Sequence, residues 1–321
     1  MLMEILTKLL NVLIFPGFLY TALVGLLFYG IHMKIMAKIQ RRIGPPVSQP
    51  YKDFAKLMLK NTLEIEGATN WLFKLAPFIM IAAIVASMMF IPVGMPAALA
   101  GAGGIIVLLY LIAASAIGVI LGGSASSSPY SVVGASRELA LMLSYDISLI
   151  IVFITVALKT GIGLNTTVAF SFDDIVKYQL AHGAFITNWV MIPAFLAIMM
   201  IIPANLGLPP FDVVEAETEI AGGPMVEYSG KNLGYFYLAN TMKIVVLTSV
   251  IVALFIPSPI TGNVYLNVIC FTIKAWLVYF IGGTLVAAVT GRRRIDQAVR
   301  FYLTVPLSLS LLSFILVLAG F

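Results

Sequence analysis

An acidic segment between two long apolar runs holds the residues of this chain that are best suited to chemistry. Five of the fourteen acidic residues lie between Pro209 and Gly230. These five are Asp212, Glu215, Glu217, Glu219 and Glu227. Carboxylates crowded beside a membrane can exchange protons, bind a cation or contact a partner, and their repulsion makes protonation sensitive to nearby charge. The apolar residues between them predict a bent, partly buried segment, and the spacing does not match a calcium loop.

Four further charged residues fall inside apolar runs. Glu138 and Asp146 lie eight residues apart in one run, so a helix places both carboxylates on one face, about two turns apart. Lys243 and Lys274 lie in two later runs. A charge at bilayer depth is costly unless it is paired or faces water, so these residues are candidates for a proton or charge relay. Structural salt bridges between helices are the alternative, and Arg137 could neutralise Glu138 or anchor the end of its helix.

The amino-acid composition indicates a membrane protein, whose spanning helices position these charges. Of 321 residues, 61% are hydrophobic and only 10% are charged, against about a quarter charged in soluble domains. The single cysteine excludes an iron–sulfur cluster or an internal disulfide within the chain, and the two histidines lack metal-ligand spacing. No nucleotide-binding or metalloprotease motif occurs. We therefore expect an all-α polytopic membrane protein, without a cofactor or catalytic residue of its own, whose redox chemistry takes place in another subunit.

Apolar runs of about 20 residues predict eight membrane spans in one domain covering 1–321. We place these spans at about 10–33, 73–95, 100–121, 137–158, 188–207, 234–256, 264–290 and 300–320. Between them, the loops 34–72 and 208–233 are the longest polar segments on one side. We expect these two loops to form a surface for docking and coupling.

The distribution of Lys and Arg predicts the orientation. Fourteen basic residues flank the spans on the side of the loops 34–72 and 208–233, and three lie on the opposite side. The positive-inside rule then places the basic loops and the acidic segment in the cytoplasm and both termini outside, in a multi-pass protein of the cell membrane. The net charge of +5 follows from this bias, and no nucleic-acid-binding module is present.

An amphipathic stretch follows the first span. Lys52, Lys56 and Lys60 recur every four residues between Gln49 and Lys60, and the opposite face is apolar. This pattern predicts a helix that lies along the cytoplasmic interface. A docking site for another subunit and a plain surface helix explain it equally well.

Several motifs, in the same order along the chain, resemble the H subunit (subunit 1) of respiratory complex I. They are Gln-Arg-Arg-Ile-Gly-Pro at 40–45, Gly-Ala-Ser-Arg-Glu at 134–138, Ser-Tyr-Asp at 144–146, Pro-Pro-Phe-Asp at 209–212 and Glu-Tyr-Ser-Gly at 227–230. The eight-span plan agrees with this family, so the resemblance covers nearly the whole chain.

The loop after the Arg-Arg motif departs from complex I. Gly44-Pro45 passes through only three residues to Gln49, whereas complex I members carry a longer loop that belongs to the quinone cavity region. The shortened loop is similar to that of energy-converting membrane-bound [NiFe] hydrogenases and of related sulfane sulfur reductase complexes. A quinone-reducing subunit of NADH dehydrogenase is the alternative.

The resemblance implies a membrane anchor that couples electron transfer to proton or sodium translocation. A hydrogenase-like large subunit with a [NiFe] site and a small subunit with a [4Fe–4S] cluster would sit on the cytoplasmic loops, and antiporter-like subunits would lie laterally in the bilayer. The five acids of the segment, with Glu138 and Asp146, would begin the charge path. Lys243 and Lys274 are added by their depth alone. The docking surface would include Arg41, Arg42, Lys52, Lys56 and Arg137.

A stand-alone secondary transporter is a third reading of the chain. Such a transporter would show inverted repeats with paired broken helices. The sequence has one broken region, near 207–211, and no matching partner. Purification in mild detergent separates the two classes, because an anchor subunit brings metal-containing partners with it.

Overall fold

The computed structural model describes residues 10–63, 67–99, 104–164, 168–257 and 263–320, and all regular structure in these ranges is helical. Seven of the described helices are long and apolar enough to cross a membrane. The predicted all-α, polytopic membrane fold is therefore confirmed.

Ten helices of eleven or more residues organise the described ranges. In order, they are α1 (Phe18–Ile39), α2 (Gln49–Leu59), α3 (Asn70–Met89), α4 (Gly104–Ala125), α5 (Pro129–Gly163), α6 (Phe172–His182), α7 (Ile192–Asn205), α8 (Gly230–Phe255), α9 (Val264–Val289) and α10 (Ile295–Leu318). Between α7 and α8 lies the acidic segment, which contains only a short helical turn at Glu217–Ile220. A helix is present where the sequence predicted one at 49–60, as α2; its position at the membrane interface stays a prediction.

Two of the predicted spans differ from the observed helices for identifiable physical reasons. The fifth span, predicted at 188–207, is the 14-residue helix α7, so the helices of full spanning length number seven in the described residues rather than eight. At 1.5 Å per residue, α7 is about 21 Å long, which is short of the roughly 30 Å hydrocarbon core. The fourth span begins at Pro129 rather than at 137, because proline starts a helix well and the charges of Arg137 and Glu138 fall inside α5 instead of at its end.

The central helix of the bundle is α8. In its most apolar window 94% of residues are buried, whereas in α9 and α10 the figure is 28%, so these two helices leave broad faces for lipid or other subunits. A helix that is apolar on all sides is stable only when surrounded by others. Gly25 of α1 permits one of these close contacts, because an added Cβ would lie 2.4 Å from the carbonyl oxygen of Thr241 in α8.

Successive membrane helices alternate in direction, so the connecting loops gather at two ends of the bundle. The acidic segment, α2 and the arginines that follow α9 share one end, which we call the acidic-loop end. Hydrogen bonds tie its parts together: the Leu63 amide donates to Ser229 Oγ at 3.0 Å, and the Arg293 amide donates to the Pro210 carbonyl at 2.9 Å. Helix α6, which was not predicted, lies at the opposite end, where Gln179 donates to the Ala253 and Leu254 carbonyls.

Candidate functional site: the acidic segment and the buried charges

Apolar side chains fix the acidic segment to the helices. Phe211, Val213, Val214 and Ile220 are all buried, as the sequence predicted for a segment that is only partly solvated. Phe211 packs on Tyr302 of α10, with ring centroids 4.7 Å apart. These buried side chains hold the backbone of the segment against the helices at several positions. The acidic residues lie between those positions.

One arginine clamps the start of the segment. The Arg292 guanidinium forms an ion pair with the Asp212 carboxylate and also donates to Thr218 Oγ1 at 3.3 Å. Arg292 follows α9, so this contact joins the acidic segment to the α9–α10 connection.

A second arginine clamps the middle of the segment from α5. Arg137 Nη1 donates to Glu219 Oε2 at 2.6 Å and to the Val213 carbonyl at 3.3 Å. The sequence suggested that Arg137 could neutralise its neighbour Glu138, and this suggestion was wrong about the geometry. Successive helical residues point about 100° apart, so Arg137 reaches the loop while Glu138 points into the bundle.

Small residues let the last part of the segment press against α5. An added Cβ at Gly134 would lie 2.6 Å from Pro224 Cδ and 2.8 Å from Gly223 Cα. Gly223 has a positive φ of 65°, and its own Cβ would lie 1.9 Å from the Val214 carbonyl oxygen. Few other residues can therefore replace Gly223 in the Gly-Gly-Pro turn.

Tyr228 fixes the end of the acidic segment to α3. Its ring stacks on Phe73 of α3 with centroids 3.9 Å apart, and its hydroxyl donates to the Phe73 carbonyl at 3.0 Å. Burial raises the pKa of Tyr228 above the ordinary tyrosine value of 10.0, so the hydroxyl remains a donor at neutral pH.

Glu215 lines a cavity of about 510 Å³ at the acidic-loop end. Three tyrosines, Tyr29, Tyr228 and Tyr237, share the wall with Asn240 and Thr241 of α8. Glu215 is the one acidic residue among the lining residues described, and its charge acts on Tyr29 across the cavity. The cavity therefore combines aromatic walls with a single carboxylate.

The buried charges lie directly behind this cavity. Glu138 of α5 is 7% exposed and Lys243 of α8 is 6% exposed, and Asp146 is half-buried. Lys243 is within electrostatic reach of Glu138, Asp146 and Glu215. These four residues therefore form a connected set of charges from the loop cavity into the bundle, which we call the charge cluster.

The remaining relay candidates occupy other positions. Lys274 Nζ donates to the Pro257 carbonyl at 2.9 Å, and no member of the charge cluster acts on it. Its position within an apolar run therefore did not predict its neighbours. Glu227 is half-buried near Tyr228. The side chain of Glu217 lies outside the part of the chain that the structure describes.

The predicted docking residues lie together at the acidic-loop end. Lys52 and Lys56 are exposed on α2, and Arg41 and Arg42 are exposed just before it. The inner face of α2 is fixed by Tyr51, whose hydroxyl donates to the Leu23 carbonyl at 2.6 Å. Contact with a partner through these cations stays a prediction.

Sequence reasoning missed one polar group beside the cavity. His32 is 3% exposed, and its Nδ1 lies 2.9 Å from Thr284 Oγ1. Thr284 belongs to a π-helical stretch, Phe280–Leu285, inside α9. Such stretches are rare and often mark functional positions. The Gly282-Gly283 pair inside an apolar run was the signal that could have indicated it.

Metal ligands do not gather in the described ranges. Nowhere in them do three or more His, Cys, Asp or Glu side chains come together as a metal site requires.

Comparison with known proteins identifies the family. The profile of the NADH dehydrogenase family matches residues 10–318. The H subunit of NADH-quinone oxidoreductase from Bartonella tribocorum is 34% identical over 319 residues, covering 90% of this chain and 87% of the relative. The same protein of Mesorhizobium japonicum is 33% identical over 296 residues, covering 87% and 84%.

A solved structure shares the whole fold. A chain of the membrane-bound sulfane sulfur reductase, an archaeal respiratory membrane complex, is 29% identical with a TM-score of 0.87, covering 98% of this chain and 99% of that one. The helices, the motifs of the acidic segment and these matches agree over nearly the full length. The chain belongs to the NADH dehydrogenase subunit 1 family of membrane proteins.

Proposed function

We propose that this chain is the membrane anchor and coupling subunit of a complex I-like respiratory complex. In this role it links electron transfer in a peripheral module, bound at the acidic-loop end, to ion translocation in the membrane. The family membership and the likeness to a chain of a respiratory membrane complex support the proposal. The positive-inside bias of the sequence favours a cytoplasmic position for the acidic-loop end.

The observation that carries the proposal is the charge cluster. Glu215 faces a cavity at the end of the bundle where a partner would dock, and Lys243 lies within electrostatic reach of it and of two carboxylates deeper inside. Interactions between charges strengthen as the local dielectric falls, so a charge change at the cavity is transmitted to the buried acids. A set of structural salt bridges alone would not need an acid at the cavity wall.

The coupling step follows from this arrangement. Arg292 holds the start of the acidic segment and Arg137 its middle, so Glu215 between them stays beside the cavity while the partner changes its redox state. An electron that arrives above the cavity makes a proton on Glu215 more stable. The new charge state of Glu215 then changes how protons are distributed among Lys243, Glu138 and Asp146. Lateral membrane subunits of the antiporter type would receive this change and move the ion.

The partner that fits best is a hydrogenase-like or sulfane sulfur-reducing module. The short loop between Gly44 and Gln49 and the nearly full mutual coverage with the sulfane sulfur reductase chain favour this class. Its large subunit and its Fe–S small subunit would rest on the loops 34–72 and 208–233, with Arg41, Arg42, Lys52 and Lys56 as contacts. The metal centres, [NiFe] in a hydrogenase and [4Fe–4S] in the small subunit, would lie in those partners.

Quinone reduction is the second candidate function. The cavity of about 510 Å³, walled by tyrosines and apolar side chains, has the size and composition of a small-molecule site. Reduction of added quinone by the purified complex would favour this candidate. Nickel in the complex, with hydrogen evolution, would favour the hydrogenase class, and sulfide formation without nickel would favour the sulfane sulfur class.

A matched pair of variants in the reconstituted complex tests the coupling role. Glu215→Gln removes the acid at the cavity wall, and we expect ion uptake into vesicles to be lost while reduction of a soluble dye continues. Glu219→Gln is the control, because Glu219 does not line the cavity and a glutamine oxygen can still accept the hydrogen bond from Arg137 that holds the segment. Ion uptake that persists unchanged in Glu215→Gln would refute the coupling role.

A further inference from the structure

A second cavity, of about 260 Å³, opens beside α7, α9 and α10. It shares no lining residue with the cavity of Glu215. Aliphatic and aromatic side chains form most of its wall, including Met199, Pro203, Phe211, Val286 and Phe301. We call this cavity the Arg293 pocket, because Arg293 is the one charged residue among its described lining residues.

The Arg293 pocket lies between α7 and α9, and the acidic segment borders it. Four residues of α7, from Leu196 to Pro203, and three of α9, from Ile281 to Val286, line it. Phe211 of the acidic segment lines the pocket together with Phe301 of α10, on which it stacks. At the edge of the pocket α7 and α9 touch closely, because an added Cβ at Gly282 would lie 2.5 Å from Ile202 Cδ1.

The pocket opens toward the bilayer. Its rim residues Leu196 and Ile281 are 44% and 55% exposed. In a multi-pass membrane protein, exposed aliphatic side chains within a helix face apolar surroundings. A volume of 260 Å³ is too small for a helix of about 10 Å diameter, so a transmembrane helix of another subunit does not fit inside it.

Positive charge lies at the mouth of the pocket. The Arg293 guanidinium sits 5.1 Å from the Phe301 ring centroid and 5.8 Å from that of Phe211, which holds its plane in place. No carboxylate among the described residues forms an ion pair with Arg293, whereas Asp212 pairs with Arg292. Arg294 follows, and α10 begins at Ile295, so the positive end of a helix dipole points to the same place.

We infer that the Arg293 pocket binds an anionic phospholipid. One acyl chain occupies the apolar space between α7 and α9, and the phosphate contacts Arg293 at the N-terminal end of α10. A guanidinium donates two parallel hydrogen bonds to phosphate oxygens, and basic pockets between membrane helices recognise anionic headgroups. A free phosphate would not explain the apolar wall, and an uncharged lipid would not explain the guanidinium at the mouth.

Crosslinking in the intact, delipidated complex tests this site. The probe is a phosphatidylglycerol with a photoreactive group in one acyl chain, and crosslinked peptides are mapped by mass spectrometry. We expect labelling of α7 near Leu196 and of α9 near Ile281. Arg293→Gln should lower the labelling about fivefold, as the loss of one cation near a membrane surface predicts. Arg293→Lys should retain most of it, and Lys231→Gln, which removes an exposed cation elsewhere at this end, should leave it unchanged.

Three results would overturn the inference. Equal labelling by a photoreactive phosphatidylcholine would show that charge plays no role. Displacement of the probe by inorganic phosphate alone would indicate a site for a free anion. Unchanged labelling of the same peptides in Arg293→Gln and in Val286→Trp, which fills the pocket while keeping the arginine, would place the lipid elsewhere.

Discussion

Replacing Lys243 with methionine tests whether the charge cluster acts as one electrostatic unit. Lys243 and Glu138 are 6% and 7% exposed, and Lys243 also acts on Asp146 and Glu215. Methionine fills a similar volume without the charge. The substitution therefore leaves the buried Glu138 carboxylate without its cation, while the packing of α8 changes little.

Breaking a direct buried ion pair costs about 3–5 kcal/mol, because the remaining charge stays desolvated. Lys243 acts on Glu138 at longer range, without a direct ion pair between these two described side chains, so this figure is an upper bound. At about 2 °C per kcal/mol for a chain of this size, Lys243→Met should lower the unfolding midpoint by at most roughly 6–10 °C. Replacing both partners is far less costly, so Glu138→Gln combined with Lys243→Met should recover at least half of the loss. The penalty of the single variant should also shrink at acid pH, because protonation neutralises the carboxylate.

Thermal unfolding of the purified complex, at one fixed heating rate, measures these differences. Lys231→Met is the control, since Lys231 is an exposed lysine at the start of the same helix and should change the midpoint little. Additive losses in the double variant, or a loss in Lys243→Met no larger than in the control, would refute the electrostatic coupling within the cluster.

Three further predictions concern the acidic segment. Gly134→Ala places Cβ 2.6 Å from Pro224 Cδ and should cost about 1–3 kcal/mol of stability by thermal unfolding, whereas Gly104→Ala, with its nearest atom at 3.6 Å, should cost little. Arg292→Gln removes an exposed ion pair with Asp212, so unfolding should change by less than about 1 kcal/mol while limited proteolysis of the segment becomes faster; an unchanged cleavage rate would contradict the clamp. Tyr228→Phe loses the hydrogen bond to the Phe73 carbonyl but keeps the stacked rings, so it should cost about 1 kcal/mol at pH 7. Because burial raises the pKa of Tyr228, this difference from the wild type should diminish as pH rises above 10, and a constant difference would contradict it.

The membrane fold could be predicted from the sequence because length and hydropathy alone decide whether a helix spans a bilayer. The same criterion failed at α7, where a 20-residue apolar stretch contains only a 14-residue helix. Hydropathy does not report where Pro193 starts the helix or where the turn after Asn205 ends it. It also failed at the start of α5, because the charges of Arg137 and Glu138 are satisfied by tertiary contacts that a linear reading does not show.

The sequence predicted individual features of the site better than the contacts between its residues. The apolar residues of the acidic segment correctly indicated burial. The eight-residue spacing predicted Glu138 and Asp146 on one helix face, and both act on Lys243. The sequence could not show that Arg137 pairs with Glu219 or that Lys274 lies apart from Lys243, because both facts depend on how helices pack side by side.

Infrared difference spectroscopy on the intact complex tests the central claim most directly. Spectra recorded before and after reduction of the peripheral module report changes in carboxyl protonation. We expect a carboxyl signal that is present in the wild type and in Glu219→Gln and absent from Glu215→Gln. The same signal in all three proteins would contradict the assignment of Glu215 as the acid that responds to electron transfer.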